Sequence, residues 1–139
     1  MQKYSVDLSD DIRARRILVV EDDQEESQLI QKILRDLWPG CLLTACKSLS
    51  EGLKACQNNV FTLILLELNL PDSVGPSTVQ DMREVNETAP IIVIAEFCTD
   101  MTEQEALKNG ASEVIKKSFL STDRFKRALR KHGKLHSAS

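Results

Sequence analysis

The chain has 139 residues, of which 42% are hydrophobic and 28% charged, and its formal net charge is -3. That length fits one hydrophobic core rather than two, and the slight acidic balance excludes a whole-molecule basic field that would draw the protein to nucleic acid or anionic lipid. The stretch from Met1 to Arg16 has no signal-peptide pattern, and no later apolar run is long enough to span a bilayer, so a cytoplasmic location away from membranes is expected. Cys41, Cys46, Cys56 and Cys98 are scattered without a CxxC pair, and the two histidines, His132 and His136, lie far along the chain. Reduced core thiols are therefore expected, rather than metal ligands or a disulfide framework.

In chain order, residues 1–14 match no motif and are expected to form a flexible N-terminal arm, with the domain proper at 15–133 and a tail at 134–139. Five short apolar runs read as buried strands: Ile17 to Val20, Leu42 to Cys46, Leu63 to Leu66, Ile91 to Ala95, and Val114 to Ile115. Helical spacing separates them. The first helix lines up Leu29, Ile30, Ile33, Leu34, Leu37 and Trp38 and stops at Pro39-Gly40. A capping box from Ser48 to Glu51 opens the second, which buries Leu49, Leu53 and Cys56. The third turns Val79, Met82 and Val85 inward. Asp100 and Glu103 form another capping box for the fourth, which ends at Gly110. The fifth starts near Ser121 or Thr122 and buries Phe125, Ala128 and Leu129.

Near-continuous apolar strands alternating with helices require a parallel sheet covered on both faces, joined by right-handed crossovers. The expected fold is a doubly wound, three-layer α/β domain with five strands. Ligands of such sheets bind beyond the carboxyl ends of the strands, where this chain places Glu21-Asp22-Asp23, Glu67-Leu68-Asn69, Ala95-Glu96 and Lys117. Three carboxylates, from Glu21, Asp22 and Glu67, would converge there with one lysine. Such a cluster suits a hard divalent cation such as magnesium, with the lysine paired to a phosphoryl oxygen. It equally suits a solvated surface on which the acids complement a helix N-terminus. Both readings stay open on the residues alone.

The run Ile17-Leu-Val-Val-Glu-Asp-Asp23, then Leu63-Ile-Leu-Leu-Glu-Leu-Asn-Leu-Pro-Asp72 and Gly75, resembles a response-regulator receiver domain. The resemblance extends from about Arg16 to Lys131, through Ala89-Pro-Ile-Ile-Val-Ile-Ala95 and Ala106-Leu-Lys-Asn-Gly-Ala-Ser112, into Val114-Ile-Lys-Lys117. It implies the flavodoxin-like strand order 2-1-3-4-5. It also implies that Glu21 and Asp22 bind magnesium, helped by the backbone carbonyl of Asn69, and that Lys117 pairs with a phosphate on the acceptor at the end of the third strand. Family membership implies two-component (phosphorelay) signalling, without enzymatic output of its own, and a sensor histidine kinase or downstream regulator as partner.

Three positions depart from that pattern. The acceptor aspartate is Glu67, whose extra methylene advances the carboxylate by roughly 1.5 Å, enough to spoil in-line attack in a reaction that depends on positioning. The hydroxyl residue ending the fourth strand is Ala95, and the aromatic switch position is Val114. The expectation is an atypical, phosphorylation-independent domain that binds proteins, with weak or absent magnesium binding. Two readings of Glu67 remain: a partial phosphomimic that reaches Lys117, or part of a locked scaffold.

Arg124, Lys126, Arg127, Arg130, Lys131 and Lys134 make a basic stripe along the last helix and tail. Without interleaved aromatics or a reading module, the stripe does not point to nucleic acid as a partner. A mixed-charge face is expected instead on the fourth helix, fifth strand and fifth helix, joining Arg124, Arg127 and Lys131 to Glu103 and Glu113 and suited to protein docking or a homodimer.

Overall fold

A computed structural model describes residues 15–134; the expected arm at 1–14 and the tail beyond Lys134 lie outside the described residues. The elements run β1 (Arg16–Val20), α1 (Gln24–Leu37), β2 (Leu42–Cys46), α2 (Leu49–Asn58), β3 (Leu63–Glu67), β4 (Asn69–Leu70), β5 (Ser73–Val74), α3 (Ser77–Val85), β6 (Ile91–Ala95), α4 (Asp100–Lys108), β7 (Glu113–Lys116) and α5 (Asp123–His132), with a 3-10 turn over Lys117–Phe119. The main sheet is parallel with order β2-β1-β3-β6-β7, the doubly wound arrangement expected. The antiparallel pair β4 and β5 is an addition that the sequence reading left as connecting chain.

Strand residues alternate between two apolar layers, which is why the runs are continuous rather than alternating with polar residues. Leu18, Val20, Ile64, Leu66, Ile91 and Val93 pack toward α2, α3 and α4 through Leu49, Val79, Met82 and Ala106. Ile17, Val19, Leu63, Leu65, Ile92 and Ile94 pack toward α1 and α5 through Ile30, Leu34, Phe125 and Leu129. Every residue of β3 and β6 is buried, so the middle of the sheet is a rigid platform for the residues at its carboxyl edge.

The helix ends follow local chemistry, with two corrections. Asp23 caps α1 by accepting from the Glu26 amide at 2.9 Å, and Ser48 caps α2 by accepting from the Glu51 amide at 3.2 Å. Glu51 reaches back to the amide of Lys47 at 2.9 Å, one residue earlier than a standard capping box. For α4 the cap is Thr99, which accepts from the Thr102 amide at 3.1 Å, and not Asp100. Its hydroxyl occupies the extended cap position, leaving Asp100 in the first turn, where the helix dipole favours it. Val85 is 39% exposed rather than core. Each three-residue step falls about 60° short of a full helical turn, so two steps from Val79 carry Val85 off the buried stripe, and Thr78 faces the core instead. Residue 122 does begin α5, but its hydroxyl donates to the Phe119 carbonyl at 2.6 Å and caps nothing.

Two arginines fasten the edges. The Arg83 guanidinium donates to the carbonyls of Gly110 (2.8 and 3.1 Å), Asn86 (3.2 Å) and Ala89 (2.6 Å), joining the end of α3 to the turn after α4. Arg15 donates to the Gly133 carbonyl at 3.2 Å and stacks 4.3 Å from the centre of the Trp38 ring, so the start of β1 is fixed to the ends of α1 and α5. Gly110 has φ 118°, and a Cβ there would lie 2.9 Å from Arg83. Gly110→Ala is therefore expected to destabilise the fold by more than about 1 kcal/mol, read as a lower urea midpoint with an unchanged slope; an unchanged midpoint would refute the strain assigned to this turn.

Candidate functional site

Because β1, β3 and β7 are parallel, their carboxyl ends bring Glu21, Glu67 and Lys117 to one place. The Lys117 ammonium lies 2.8 Å from Glu67 Oε1, 3.2 Å from Glu21 Oε1 and 3.4 Å from Glu21 Oε2. All three side chains are withdrawn from water: Glu21 and Glu67 are 2% and 3% exposed, and the Lys117 side chain is 12% exposed. Each carboxylate also folds back on its own chain. Glu21 Oε2 accepts from the amide of Asp23 at 3.1 Å, and Glu67 Oε2 from the amide of Asn69 at 3.0 Å. The two acids thus use the same device, one oxygen on the backbone two residues ahead and the other facing the lysine. Glu21 Oε1 is the exception in detail, since it receives the ammonium's charge without an aligned hydrogen bond.

Electrostatics follow from two carboxylates facing one cation. Burial drives the Glu21 carboxyl up from the ordinary 4.5 to about 7, against the lowering effects of the Asp23 amide and of Lys117, with the Glu67 charge adding to the rise. For Lys117, burial opposes the charge, but the hydrogen bond and charge of Glu67, followed by those of Glu21, outweigh it and hold the ammonium above the ordinary lysine range. Two carboxylates facing one cation leave excess negative charge, and the raised proton affinity of Glu21 answers it.

The other expected site residues are placed differently. Asp22, just past the end of β1, is exposed, while its neighbour Glu21 is buried against Lys117. Asn69 is exposed and contributes its amide to Glu67. Ala95 is buried at the end of β6, and Val114 lies inside the aliphatic layer with Ala106 and Ala111. Glu103 and Glu113 are half-buried, while Arg124, Arg127 and Lys131 are exposed.

Magnesium needs near-octahedral oxygen ligands at roughly 2.0–2.1 Å. Here the two inward-facing carboxylates, Glu21 and Glu67, are both paired with the Lys117 ammonium.

Sequence reasoning missed Asp72. Its two carboxylate oxygens accept from the first amides of α2, Leu49 and Ser50, both at 2.9 Å, and these bonds hold its carboxyl below the usual range. The Pro71-Asp72 turn pair marked it as a turn residue, and only the tertiary fold brings it beneath a helix 22 residues away.

A pH dependence follows. Glu21 has its proton affinity raised on folding, so its contribution to stability is fully present below pH 4.5 and is lost as pH rises through about 7. Relative to Glu21→Gln, the wild type is expected to lose about 1–3 kcal/mol across that window, measured by urea unfolding at several pH values. A pH-independent difference would contradict the assignment. Lys117→Met is expected to cost about 3–5 kcal/mol at pH 8 by stranding the carboxylates, and less at pH 5, where Glu21 is protonated.

Residues 17–130 match the family described as the response regulator receiver domain. The transcriptional regulatory protein ZraR of Salmonella typhimurium strain LT2 is 31% identical over 115 residues, which cover 83% of this chain and 25% of that protein, so the chain spans about a quarter of that relative's length. The BeF3-activated N-terminal receiver domain of Klebsiella pneumoniae RstA is 25% identical, covering 86% of this chain and 99% of that one with a TM-score of 0.74. The non-phosphorylated HemR receiver domain from Leptospira biflexa superimposes with a TM-score of 0.77 over 90% of this chain and 98% of that one, at 24% identity, a likeness of fold. Among the described residues, no helix is long and apolar enough to cross a membrane. The family match over most of the chain, carried on the same sheet order, means that this chain belongs to the response regulator receiver domain family, the signalling module of two-component systems.

Proposed function

We propose that this receiver domain works in two-component signalling without being phosphorylated, as a protein-binding domain whose pocket is held shut by its own ion pair. The observation that carries this reading is the 2.8 Å contact between Glu67 and Lys117, with the second Glu67 oxygen on the Asn69 amide. In the family the lysine pairs with the incoming phosphoryl group; here it already has a carboxylate partner. A nucleophile with both oxygens engaged must break a buried ion pair before it can attack, and its longer side chain then presents the oxygen in the wrong place.

A partial phosphomimic is the second reading, favoured by the same contact, because an anion on Lys117 resembles the phosphorylated arrangement. One carboxylate supplies about one charge against nearly two for a phosphoryl group. With Ala95 offering no hydroxyl and Val114 packed among aliphatic side chains, little in the chain would relay that charge to the surface. The locked scaffold is the better account. Magnesium binding is weak or absent on the same grounds, since the ion would have to displace the ammonium.

Partners are then met through surface chemistry that does not await phosphate. The face of α4, β7 and α5 carries Arg124, Arg127 and Lys131 exposed beside the half-buried Glu103 and Glu113, a mixed-charge surface fitted to a histidine kinase, a downstream regulator or a second receiver.

Incubation with a small acyl phosphate followed by intact-mass measurement tests the central claim. The mass is expected to stay unchanged, whereas Glu67→Asp should gain a phosphoryl group and Glu67→Asp with Ala95→Thr should couple it better to the loop after β6. A stoichiometric adduct on Glu67 itself would sink the proposal. Magnesium titration of the wild type should show no tight site; tight binding abolished by Asp22→Asn would reverse the claim about the metal.

A further inference from the structure

On the β2 edge of the sheet, across from the α4, β7 and α5 face, a cavity of about 320 Å³ lies between α1 and the end of β2. Gln24, Ser27, Gln28, Gln31 and Arg35 line one side, and their spacing puts them on one face of α1. Lys47, just past β2, stands on the other side, and the buried Glu21 forms part of the wall. The cavity therefore reaches the carboxyl ends of β1 and β2, the edge at which doubly wound sheets bind ligands.

Hydrogen bonds hold both walls in place. The Glu21 amide donates to the Cys46 carbonyl at 3.0 Å and the Lys47 amide to Glu51 Oε1 at 2.9 Å, so the end of β2 is fixed against β1 and α2. Along α1, Arg35 donates to Gln31 Oε1 at 3.3 Å, and Gln31 donates to the buried Ser27 hydroxyl at 3.0 Å. The acids closest in sequence to the two cations are engaged elsewhere, Asp36 with Lys32 at 3.3 Å and Glu51 with the Lys47 amide. The charge of Glu21 faces Lys117. What the cavity offers an occupant is two cations beside three side-chain amides. An amide both donates and accepts, as a hydroxyl does, and Lys and Arg together suit a phosphate. No aromatic ring lines the cavity to stack on a nucleobase, and Ala45 and Cys46 supply too little apolar surface for an acyl chain. The volume is near the lower bound of about 300 Å³ for small-molecule sites, which fits a compound of one ring or a short chain.

We propose that this cavity binds a small phosphorylated polyol, with its phosphate drawn by Lys47 and Arg35 and its hydroxyls hydrogen-bonded to Gln24, Gln28 and Gln31. Glu21 belongs both to the cavity wall and to the ion cluster, so the occupant lies beside the Lys117 pairs without entering them. Such binding requires no phosphoryl transfer and does not depend on whether Glu67 can be phosphorylated.

The test uses the full chain, labelled with nitrogen-15 and titrated separately with ribose 5-phosphate, glucose 6-phosphate, glycerol 3-phosphate, inorganic phosphate and ribose. At least one of the three phosphorylated polyols is expected to give saturable shifts at the backbone and side-chain amides of Gln24, Gln28 and Gln31 and at the Lys47 amide, with a Kd of about 1 mM or tighter. Inorganic phosphate and ribose should each bind at least about tenfold more weakly, since each makes only part of the contacts. Arg35→Met/Lys47→Met is expected to weaken the phosphorylated polyol by about tenfold or more. Gln28→Leu/Gln31→Leu should weaken it too while leaving the response to inorganic phosphate unchanged. All these side chains except Gln31 are exposed, and the urea midpoint of each variant, compared with that of the wild type, separates lost binding from lost folding. The proposal is overturned if none of the three compounds gives saturable shifts, or if the shifts centre on Arg124 to Lys131. It is equally overturned if inorganic phosphate binds as tightly as the phosphorylated polyols, because the cavity would then be an adventitious anion site only.

Discussion

One ammonium group shared by two buried carboxylates is the constraint on which the carboxyl edge of this sheet depends. Lys117 follows β7, Glu21 follows β1 and Glu67 ends β3, so a single nitrogen joins the carboxyl ends of three strands. Burial makes the arrangement demanding. Two charges taken out of water are costly unless paired, and removing one partner costs more than the pair contributes in net stability. The backbone amides of Asp23 and Asn69 satisfy the second oxygen of each acid and set the direction from which each approaches the lysine. With one cation for two acids, burial raises the proton affinity of Glu21, which eases the excess negative charge as pH falls below about 7.

Most of the framework was legible because hydrophobic continuity is a strong signal. Runs such as Leu63 to Leu66 and Ile91 to Ala95 have no polar residue to serve as a solvent face, which forces a sheet covered on both sides and brings the strand-end residues together. The convergence of Glu21, Glu67 and Lys117 follows from that topology. The motif gives adjacency along the chain and does not carry the difference in exposure between buried Glu21 and exposed Asp22.

Other misreadings share a cause. Thr99 and Asp100 can each cap a helix, and the backbone's entry into α4 decides between them. Val85 has the composition of a core residue but sits where the helix has rotated its stripe away. Asp72 and the small β4 and β5 pair depend on contacts between segments distant in sequence or on a turn formed only when the loop is packed, and neither leaves a periodic trace.

The departures at Glu67, Ala95 and Val114 become intelligible as one change. The register of β3 against β6 pairs Glu67 with Ile94 and so fixes where its backbone sits. From that point the glutamate side chain holds both the Asn69 amide and Lys117. On the proposed reading, this ion pair stands where a phosphorylated acceptor would meet the lysine. If the domain works without phosphate, as proposed, a hydroxyl at position 95 has nothing to detect and an aromatic ring at 114 has no two positions to choose between. An alanine and a valine that fill the apolar layer are then the residues that packing prefers. On the proposed reading, regulation passes to the mixed-charge face of α4, β7 and α5, where salt and partners act directly.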